Sequence, residues 1–294
     1  MCDAGSQNHS CLRKPEWLKV HLPGGERFNR IAGILQSERL HSICWEARCP
    51  NIMECFQSGT ATFLIMGNIC TRNCLYCNVG CGRPEKIDET EASRLAEAAR
   101  QMDLRYIVIT SVTRDDLADG GAGQFVACLE EVRKEMPQSR VEVLVPDFRE
   151  NLPALDRIIE AGPDVINHNI ETVPSLFGTL RPDGDFERSL KLLQHVHKAS
   201  DIVTKSGFMI GFGETLPQID DLLRALADVN CQCVTISQYQ QPTARHWPVK
   251  KYYPPDQFAE IRQRALKIGF AHVEAGPLVR SSYHADRMMR GKYV

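Results

Sequence analysis

The sequence predicts an α/β fold: a partial (β/α) barrel of six parallel strands, preceded by an N-terminal extension and followed by a C-terminal tail. Two observations carry that expectation. Short apolar runs alternate with longer amphipathic segments from residue 61 to residue 268, and no block of strands stands apart from the helices. Three cysteines, Cys70, Cys74 and Cys77, follow the first apolar run directly. That loop opens at the C-terminal mouth of a barrel, where such folds keep their chemistry. A doubly wound open sheet is the alternative arrangement of the same elements; the place of the cysteines favours the TIM-barrel-like one.

Strands are expected at Ala61–Met66, Tyr106–Ser111, Val141–Val145, Val165–Asn169, Thr204–Ile210 and Val234–Gln238. Each is short and apolar, rich in Val, Ile or Phe, as a strand buried on both faces should be. Helices are expected at Glu89–Met102, Gly123–Met136, Leu152–Ala161, Phe186–Ala199, Ile219–Val229 and Pro255–Ile268, where apolar residues recur at helical spacing. Pro153 and Pro217 stand where a helix starts, and Gly162 and Gly269 where one stops. Residues 1–59 fall outside the repeat and read as an extension carrying a second group of cysteines. Residues 60–274 read as the barrel and 275–294 as a tail.

The chain has 294 residues, 43% hydrophobic and 24% charged, which suits a soluble domain with a sizeable core. A net charge of −2 leaves no electrostatic footprint for nucleic acid. No apolar run reaches the eighteen or so residues of a membrane span, and the first twenty residues lack the apolar centre of a signal peptide. Twelve cysteines in this length fall well below the density of a disulfide scaffold. Thiolate clusters need a reducing compartment, so a cytoplasmic location is expected.

Cys70-Thr-Arg-Asn-Cys74-Leu-Tyr76-Cys77 has the spacing C-x3-C-x2-C. Three thiolates so close in sequence can grip an iron–sulfur cluster from one face and leave one iron free for a small molecule. The competing reading is a structural zinc site, which needs four ligands in a closed tetrahedron. Cys81 or a histidine would have to complete it. The motif resembles the signature of radical S-adenosylmethionine enzymes. That resemblance implies a 4Fe-4S cluster whose fourth iron binds the amino and carboxylate groups of S-adenosylmethionine, and reductive cleavage to a 5′-deoxyadenosyl radical.

Several further residues fit the same superfamily, each also readable as an ordinary turn or loop residue. Tyr76 precedes the last cysteine. Gly211-Phe-Gly213-Glu214 follows the fifth strand, where backbone can approach a nucleoside. Glu171 lies just beyond the fourth strand and suits the ribose hydroxyls or the amino group. Thr110 and Ser111 end the second strand, and Arg181 can pair with the methionyl carboxylate.

Upstream, Cys44, Cys49 and Cys55 have the spacing C-x4-C-x5-C. Together with Arg280-Ser281-Ser282-Tyr283 and the stretch from Thr110 to Gly121, this triplet resembles the lipoyl synthase family over almost the whole chain. The resemblance implies an auxiliary 4Fe-4S cluster on Cys44, Cys49 and Cys55, with a tail serine as fourth ligand. Matched residue by residue, that ligand is Ser282, with Ser281 as the fallback and Arg280 steadying the serine. A hydroxyl is a poor iron ligand beside thiolates, so this bond is read as the one that lets an iron leave and makes cluster sulfide a reagent.

The implied reaction inserts two sulfur atoms, at C6 and C8, into an octanoyl chain on a lysine of a carrier protein. It consumes two S-adenosylmethionines per lipoyl group. The implied partners are octanoylated lipoyl carrier domains (2-oxoacid dehydrogenase E2 subunits and the glycine cleavage H protein), a reductant such as ferredoxin or flavodoxin, and an iron–sulfur carrier protein. No nucleic acid or membrane partner is implied. Two rivals stand beside this reading: another sulfur-inserting radical enzyme, similar to biotin synthase or a methylthiotransferase, and a non-catalytic iron–sulfur or zinc protein.

Cys81 departs from the expected family pattern and has no assigned role. Cys2, Cys11, Cys128, Cys231 and Cys233 read as structural thiols, and His195 and His197 as helix-surface residues. The stretch from Arg245 to Tyr253 is basic and aromatic and reads either as a dock for an acidic partner or as a solvated loop.

Overall fold

The computed structural model describes residues 12–19, 25–46, 49, 51–58 and 60–283. Cys2 and Cys11, and the tail beyond residue 283, lie outside the described residues. The extension supplies helix α1 (Glu26–Ser37), strand β1 (His41–Ser42), and the short helices α2 (Ile43–Glu46) and α3 (Ile52–Ser58). Next come β2 (Thr60–Ile65) and the two-residue strands β3 (Ile69–Cys70) and β4 (Gly80–Cys81). The repeat continues with α4 (Glu91–Gln101), β5 (Tyr106–Ser111), α5 (Ala122–Glu135), β6 (Arg140–Leu144), α6 (Leu152–Glu160) and β7 (Val165–Asn167). It closes with α7 (Pro174–Leu180), α8 (Phe186–Ala199), β8 (Val203–Ile210), α9 (Leu216–Asp228), β9 (Cys233–Gln238), α10 (Pro255–Ile268) and β10 (His272–Gly276).

The main sheet runs β1-β2-β5-β6-β7-β8-β9-β10. From β2 onward every neighbouring pair is parallel, and each strand is added beside its predecessor. An order that never reverses, joined by crossovers of one hand, lays the helices against a single face; a doubly wound sheet needs a reversal. The arrangement is therefore the barrel-like one, and all six expected strands are in it. Two strands are additional. β10 extends the parallel sheet by a seventh strand, and β1 pairs antiparallel with β2 at the other end. Neither carries an apolar run: β10 is a mostly half-buried end strand, His272-Val-Glu-Ala-Gly276, so composition gives it little signal. Helix α7 was also unexpected, being seven residues long, too short for a helical period to register.

Side chains alternate between two environments. Ile107, Ile109, Val141 and Val143 pack against Leu95, Phe125, Leu129 and Leu155 of the helices. Phe208, Ile210, Val234 and Ile236 do the same with Ile219, Leu222, Phe258 and Ile261. The other parity faces inward. Its floor is apolar, made of Tyr106, Val108, Val165, Val203 and Cys233. Beside that floor the interior turns polar. Lys205 Nζ donates to both carboxylate oxygens of Glu142, at 2.9 and 3.0 Å, while Tyr106 and Asn167 donate to the same group at 2.8 and 2.9 Å. Both charged side chains are fully buried, tolerable only because each charge is paired and bonded on several sides.

The extension is packed on the barrel. Ile31, Leu35 and Phe56 join the same core as α4 and α5, and Phe28 stacks on Trp45 with ring centroids 5.6 Å apart. This packing carries Cys44 to the foot of β2. The expected punctuation holds: Pro153 and Pro217 sit in the first turns of α6 and α9, and Gly162 and Gly269 follow α6 and α10 with positive φ. Thr215 and Gln218 add a reciprocal capping box to α9. Among the described residues no helix is long and apolar enough to cross a membrane.

Candidate active site

Cys70, Cys74 and Cys77 lie in the loop after β2, at the C-terminal end of the strands. Two backbone N–H groups, of Arg72 and Thr113, donate to Cys70 Sγ at 3.4 and 3.3 Å. Such bonds stabilise a thiolate. The three thiols stand in one another's field, and burial pushes Cys77 up to about 12 and raises Cys74, which the nearby Arg181 charge partly offsets. The loop is held from several sides. Leu75 N–H donates to Leu180 O and accepts at its carbonyl from Trp247 N–H, both at 2.9 Å, and His246 Nε2 donates to Cys77 O at 2.9 Å. The Arg245–Tyr253 stretch is therefore tied by His246 and Trp247 across the cysteine loop, not loose in solvent.

Arg72, inside the motif, makes the strongest of these ties. Its guanidinium binds Asp115 through Nε and Nη2 at 2.7 and 2.9 Å, and Asp147 through Nη1 and Nη2 at 3.0 and 2.6 Å. Asp115 follows β5 and Asp147 follows β6, so one side chain pins the cysteine loop to two strand ends. The Arg72 charge holds both carboxyls below their usual range despite burial.

The residues expected to meet S-adenosylmethionine gather beside this loop in part. Arg181 is almost fully buried, donates through Nη1 to Asn169 O at 3.0 Å, and feels Tyr76, Glu171 and Cys74. Glu171 bonds to the Asn169 side chain, and its carboxyl is raised by burial against the pull of Arg181. Its φ of +71° is left-handed, an unfavourable conformation for a side chain of this kind and one that collects at functional sites. β7 ends at Asn167, two residues before the expected Asn169, and pairing with β8 resumes as a single parallel bridge from Glu171 to Phe208. Tyr76 packs on Phe212 with centroids 6.1 Å apart.

Other expectations fare differently. Thr110 Oγ1 is committed to Leu144 O at 3.0 Å. The N–H groups of Gly211, Phe212 and Gly213 all donate to the Glu214 carboxylate, at 2.7, 2.9 and 3.1 Å. A Cβ on Gly211 would sit 2.2 Å from Gln238 Nε2 and 2.7 Å from Lys251 O. The glycine turn is thus explained by its own packing, with no N–H of these three left over for a nucleoside.

The first triplet meets the tail through a residue the sequence did not single out. Thr62, on the inward parity of β2, donates from Oγ1 to Ser282 Oγ at 2.8 Å and also bonds the Cys44 thiol. Burial and the neighbouring Cys49 push Cys44 up to about 11. Cys49 N–H donates to Cys44 O at 3.0 Å, and Cys55 N–H, on α3, to Asn51 O at 2.9 Å. Ser281 faces elsewhere, towards Asn169. Arg280 donates through Nη1 to Val279 O at 2.7 Å, and burial raises the Cys49 thiol against the pull of the Arg280 charge. Tyr283 reaches Glu54 at 2.9 Å, closing the tail over α3.

The residues fit the implied cofactors. Ser111 Oγ, Arg181 Nε and Gln240 Nε2 are buried polar atoms with no partner among the described residues, and such orphans mark the place of a polar guest. The donor set is thiol-rich, which suits iron–sulfur clusters. Among the described residues no three His, Cys, Asp or Glu side chains converge on a point where one ion would sit. Cys81 is exposed and registers opposite Cys70 in the β3–β4 ladder. Cys128, Cys231 and Cys233 are buried, and His195 pairs with Asp156 on the helix surface at 2.6 Å. Thr62, Asn169, Arg72, Asp115 and Asp147 were missed. For Arg72 and Asp115 a local signal existed, their places inside the cysteine motif and the Thr110–Gly121 stretch.

Residues 64–226 match the Radical SAM superfamily, and residues 3–49 match the N-terminal domain of lipoyl synthase of the Radical SAM family. The lipoyl synthase of Roseiflexus sp. (strain RS-1) is 50% identical over 274 residues, 93% of this chain and 91% of that one. That of Pseudoalteromonas translucida (strain TAC 125) is 50% identical over 294 residues, 98% and 91% of the two chains. Among solved structures, the FeFe-hydrogenase maturase HydG from Carboxydothermus hydrogenoformans superposes with a TM-score of 0.57 at 16% identity, over 80% of this chain and 66% of its own. Methylornithine synthase (PylB) gives 0.53 at 13%, over 72% and 70%. At these identities the shared property is the fold.

Proposed function

The chain belongs to the lipoyl synthase family of radical S-adenosylmethionine enzymes, and from that footing we propose how its residues divide the work. The reaction inserts two sulfur atoms, at C6 and C8, into a protein-bound octanoyl-lysine. Those carbons carry unactivated C–H bonds that no side-chain base can deprotonate. When bound, S-adenosylmethionine with its cluster supplies hydrogen-atom abstraction, and the auxiliary 4Fe-4S cluster supplies the sulfur.

The chain's own residues bind, orient and exclude water. Cys70, Cys74 and Cys77 hold the cluster that meets S-adenosylmethionine, with the Arg72 and Thr113 N–H groups directed at Cys70. Arg181, buried, and Glu171, half-buried, stand beside Cys74 and take the carboxylate and amino groups. Cys44, Cys49 and Cys55 hold the auxiliary cluster. Arg280 balances the negative charge of its thiolates, and Ser282 is the labile fourth ligand. The observation that carries this reading is Thr62, which touches both Cys44 and Ser282 and so joins two motifs far apart in sequence. It also favours Ser282 over Ser281 as the ligand.

The rival chemistries have no comparable support. Similarity to lipoyl synthases runs at 50% over nearly the full length, and a non-catalytic protein would have no use for a second triplet closed by a serine. The substrates we propose are octanoylated carrier domains of the 2-oxoacid dehydrogenases and the glycine cleavage system. A ferredoxin or flavodoxin would supply electrons, an iron–sulfur carrier protein would rebuild the auxiliary cluster, and the reaction would run in the cytoplasm. Anaerobic reconstitution with an octanoyl-lysyl peptide, read by mass spectrometry, tests the division of labour. Cys44→Ala should still form 5′-deoxyadenosine and give no thiolated product; normal thiolation by that variant would refute the sulfur-donor assignment.

A further inference from the structure

Asn169 sits where the tail touches the residues assigned to S-adenosylmethionine. Its Nδ2 donates to Ser281 Oγ at 2.8 Å, and Ser281 Oγ returns a bond to Asn169 Oδ1 at 3.1 Å. The same side chain bonds Glu171, and its backbone carbonyl accepts from Arg181 Nη1 at 3.0 Å. One residue therefore contacts the tail, the carboxylate and the guanidinium together.

The space for this junction is built by a glycine. Gly207 lies on the inward face of β8, and a Cβ there would stand 2.5 Å from Thr235 Oγ1, 2.8 Å from Asn169 Oδ1 and 3.4 Å from Ser281 Oγ. Its φ is not in the left-handed region, so any residue would suit the backbone; glycine is needed for room. Glu171, on the other side, is fixed by its left-handed φ and by backbone bonds: its N–H donates to Gly207 O at 3.0 Å and its carbonyl accepts from Met209 N–H at 2.9 Å. An amide bonded at both ends to neighbours so held has little freedom to turn alone.

We propose that the Asn169–Ser281 pair is a latch that couples occupancy of the S-adenosylmethionine site to seating of the C-terminal tail. Ser281 is the positioning serine and Ser282 its neighbour on the cluster side. The inference rests on the assignment of Glu171 and Arg181 made above and adds a consequence to it. A ligand that fixes Glu171 and Arg181 fixes the Asn169 amide, which holds Ser281 and so presents Ser282 towards Thr62 and Cys44. By linkage the effect is reciprocal: the factor by which a seated tail tightens S-adenosylmethionine equals the factor by which S-adenosylmethionine seats the tail.

The test uses the full reconstituted chain under anaerobic conditions without reductant, so no turnover occurs. Trypsin cleavage after Arg280, which is half-buried with the tail seated, is followed by the appearance of peptides beginning at Ser281. In the wild-type chain, saturating S-adenosylmethionine should slow that cleavage about 5–10-fold, within the usual range of allosteric coupling. In Ser281→Ala the slowing should vanish, and the dissociation constant for S-adenosylmethionine should rise by the same factor. Gly207→Ala, which crowds the pair without removing either member, should behave alike. Unchanged affinity in Ser281→Ala, or cleavage indifferent to S-adenosylmethionine in the wild type, would overturn the latch while leaving the Glu171 and Arg181 assignment intact. A wild-type chain that bound no S-adenosylmethionine would overturn that assignment and the latch with it.

Discussion

His168 shows how much a single buried side chain can say. Its Nδ1 lies 2.8 Å from Val145 O, and a bond there requires Nδ1–H. Nε2 is then the bare nitrogen, buried and without a partner among the described residues. Protonating it would bury a charge and an unpaired donor, so burial, reinforced by Arg181, brings His168 down to about 4. Between pH 6.5 and 4 the unfolded chain takes a proton that the folded chain refuses. Stability from this group is therefore full above about pH 6.5 and is lost as pH falls to 4, by about 3 kcal/mol for the shift of its titration. Urea titrations across that range should show His168→Gln with a shallower loss than the wild type. The difference between the two curves cancels the acid lability of the clusters, and parallel curves would count against the argument.

At the scale of elements, the question is what holds loops from different strands in one constellation. Arg72 answers for the second triplet by binding Asp115 and Asp147 together. Asp147 has no exposed side-chain surface, so Arg72→Met would leave the buried carboxylate with Arg188 Nε at 3.5 Å and the Arg149 N–H, at the low end of the ~3–5 kcal/mol that breaking such a pair costs. Arg72→Lys keeps the charge but lacks the fork, and should fall between wild type and Met. Chemical denaturation of the cluster-free chains gives the order directly; a Met variant as stable as wild type would contradict it. The elements themselves were largely legible, because strands buried on both faces leave short unbroken apolar runs and helices a periodic one. β10 and α7 were not, since an end strand needs few apolar residues and a seven-residue helix has less than two full periods.

For the whole molecule, the described parts of the extension and the tail pack with the barrel. The strap from Arg245 to Tyr253 crosses the cysteine loop, and Lys250 and Lys251 remain exposed at its end, Lys251 Nζ lying 3.9 Å above the Tyr253 ring. Exposed charges at the rim of a mouth act mainly on encounter with a partner. Lys250→Glu with Lys251→Glu should raise KM for an acidic octanoylated carrier domain about 5–10-fold, with kcat unchanged and the gap closing as salt is added. Equal KM values at low salt would exclude this rim as the dock.

The sequence by itself determined the fold class, both cysteine triplets and the family, because cysteine spacing and apolar period are local quantities written along the chain. It took the folded chain to show that Ser282 bonds Thr62 beside Cys44, that the Arg280 charge acts on Cys49, and that Asn169 bonds Ser281 of the tail. Those facts depend on register: Thr62 on β2, Gly207 on β8 and Asn169 just beyond β7 come from three parts of the sheet that meet only when it curls. No spacing within one segment encodes a distance between such strands.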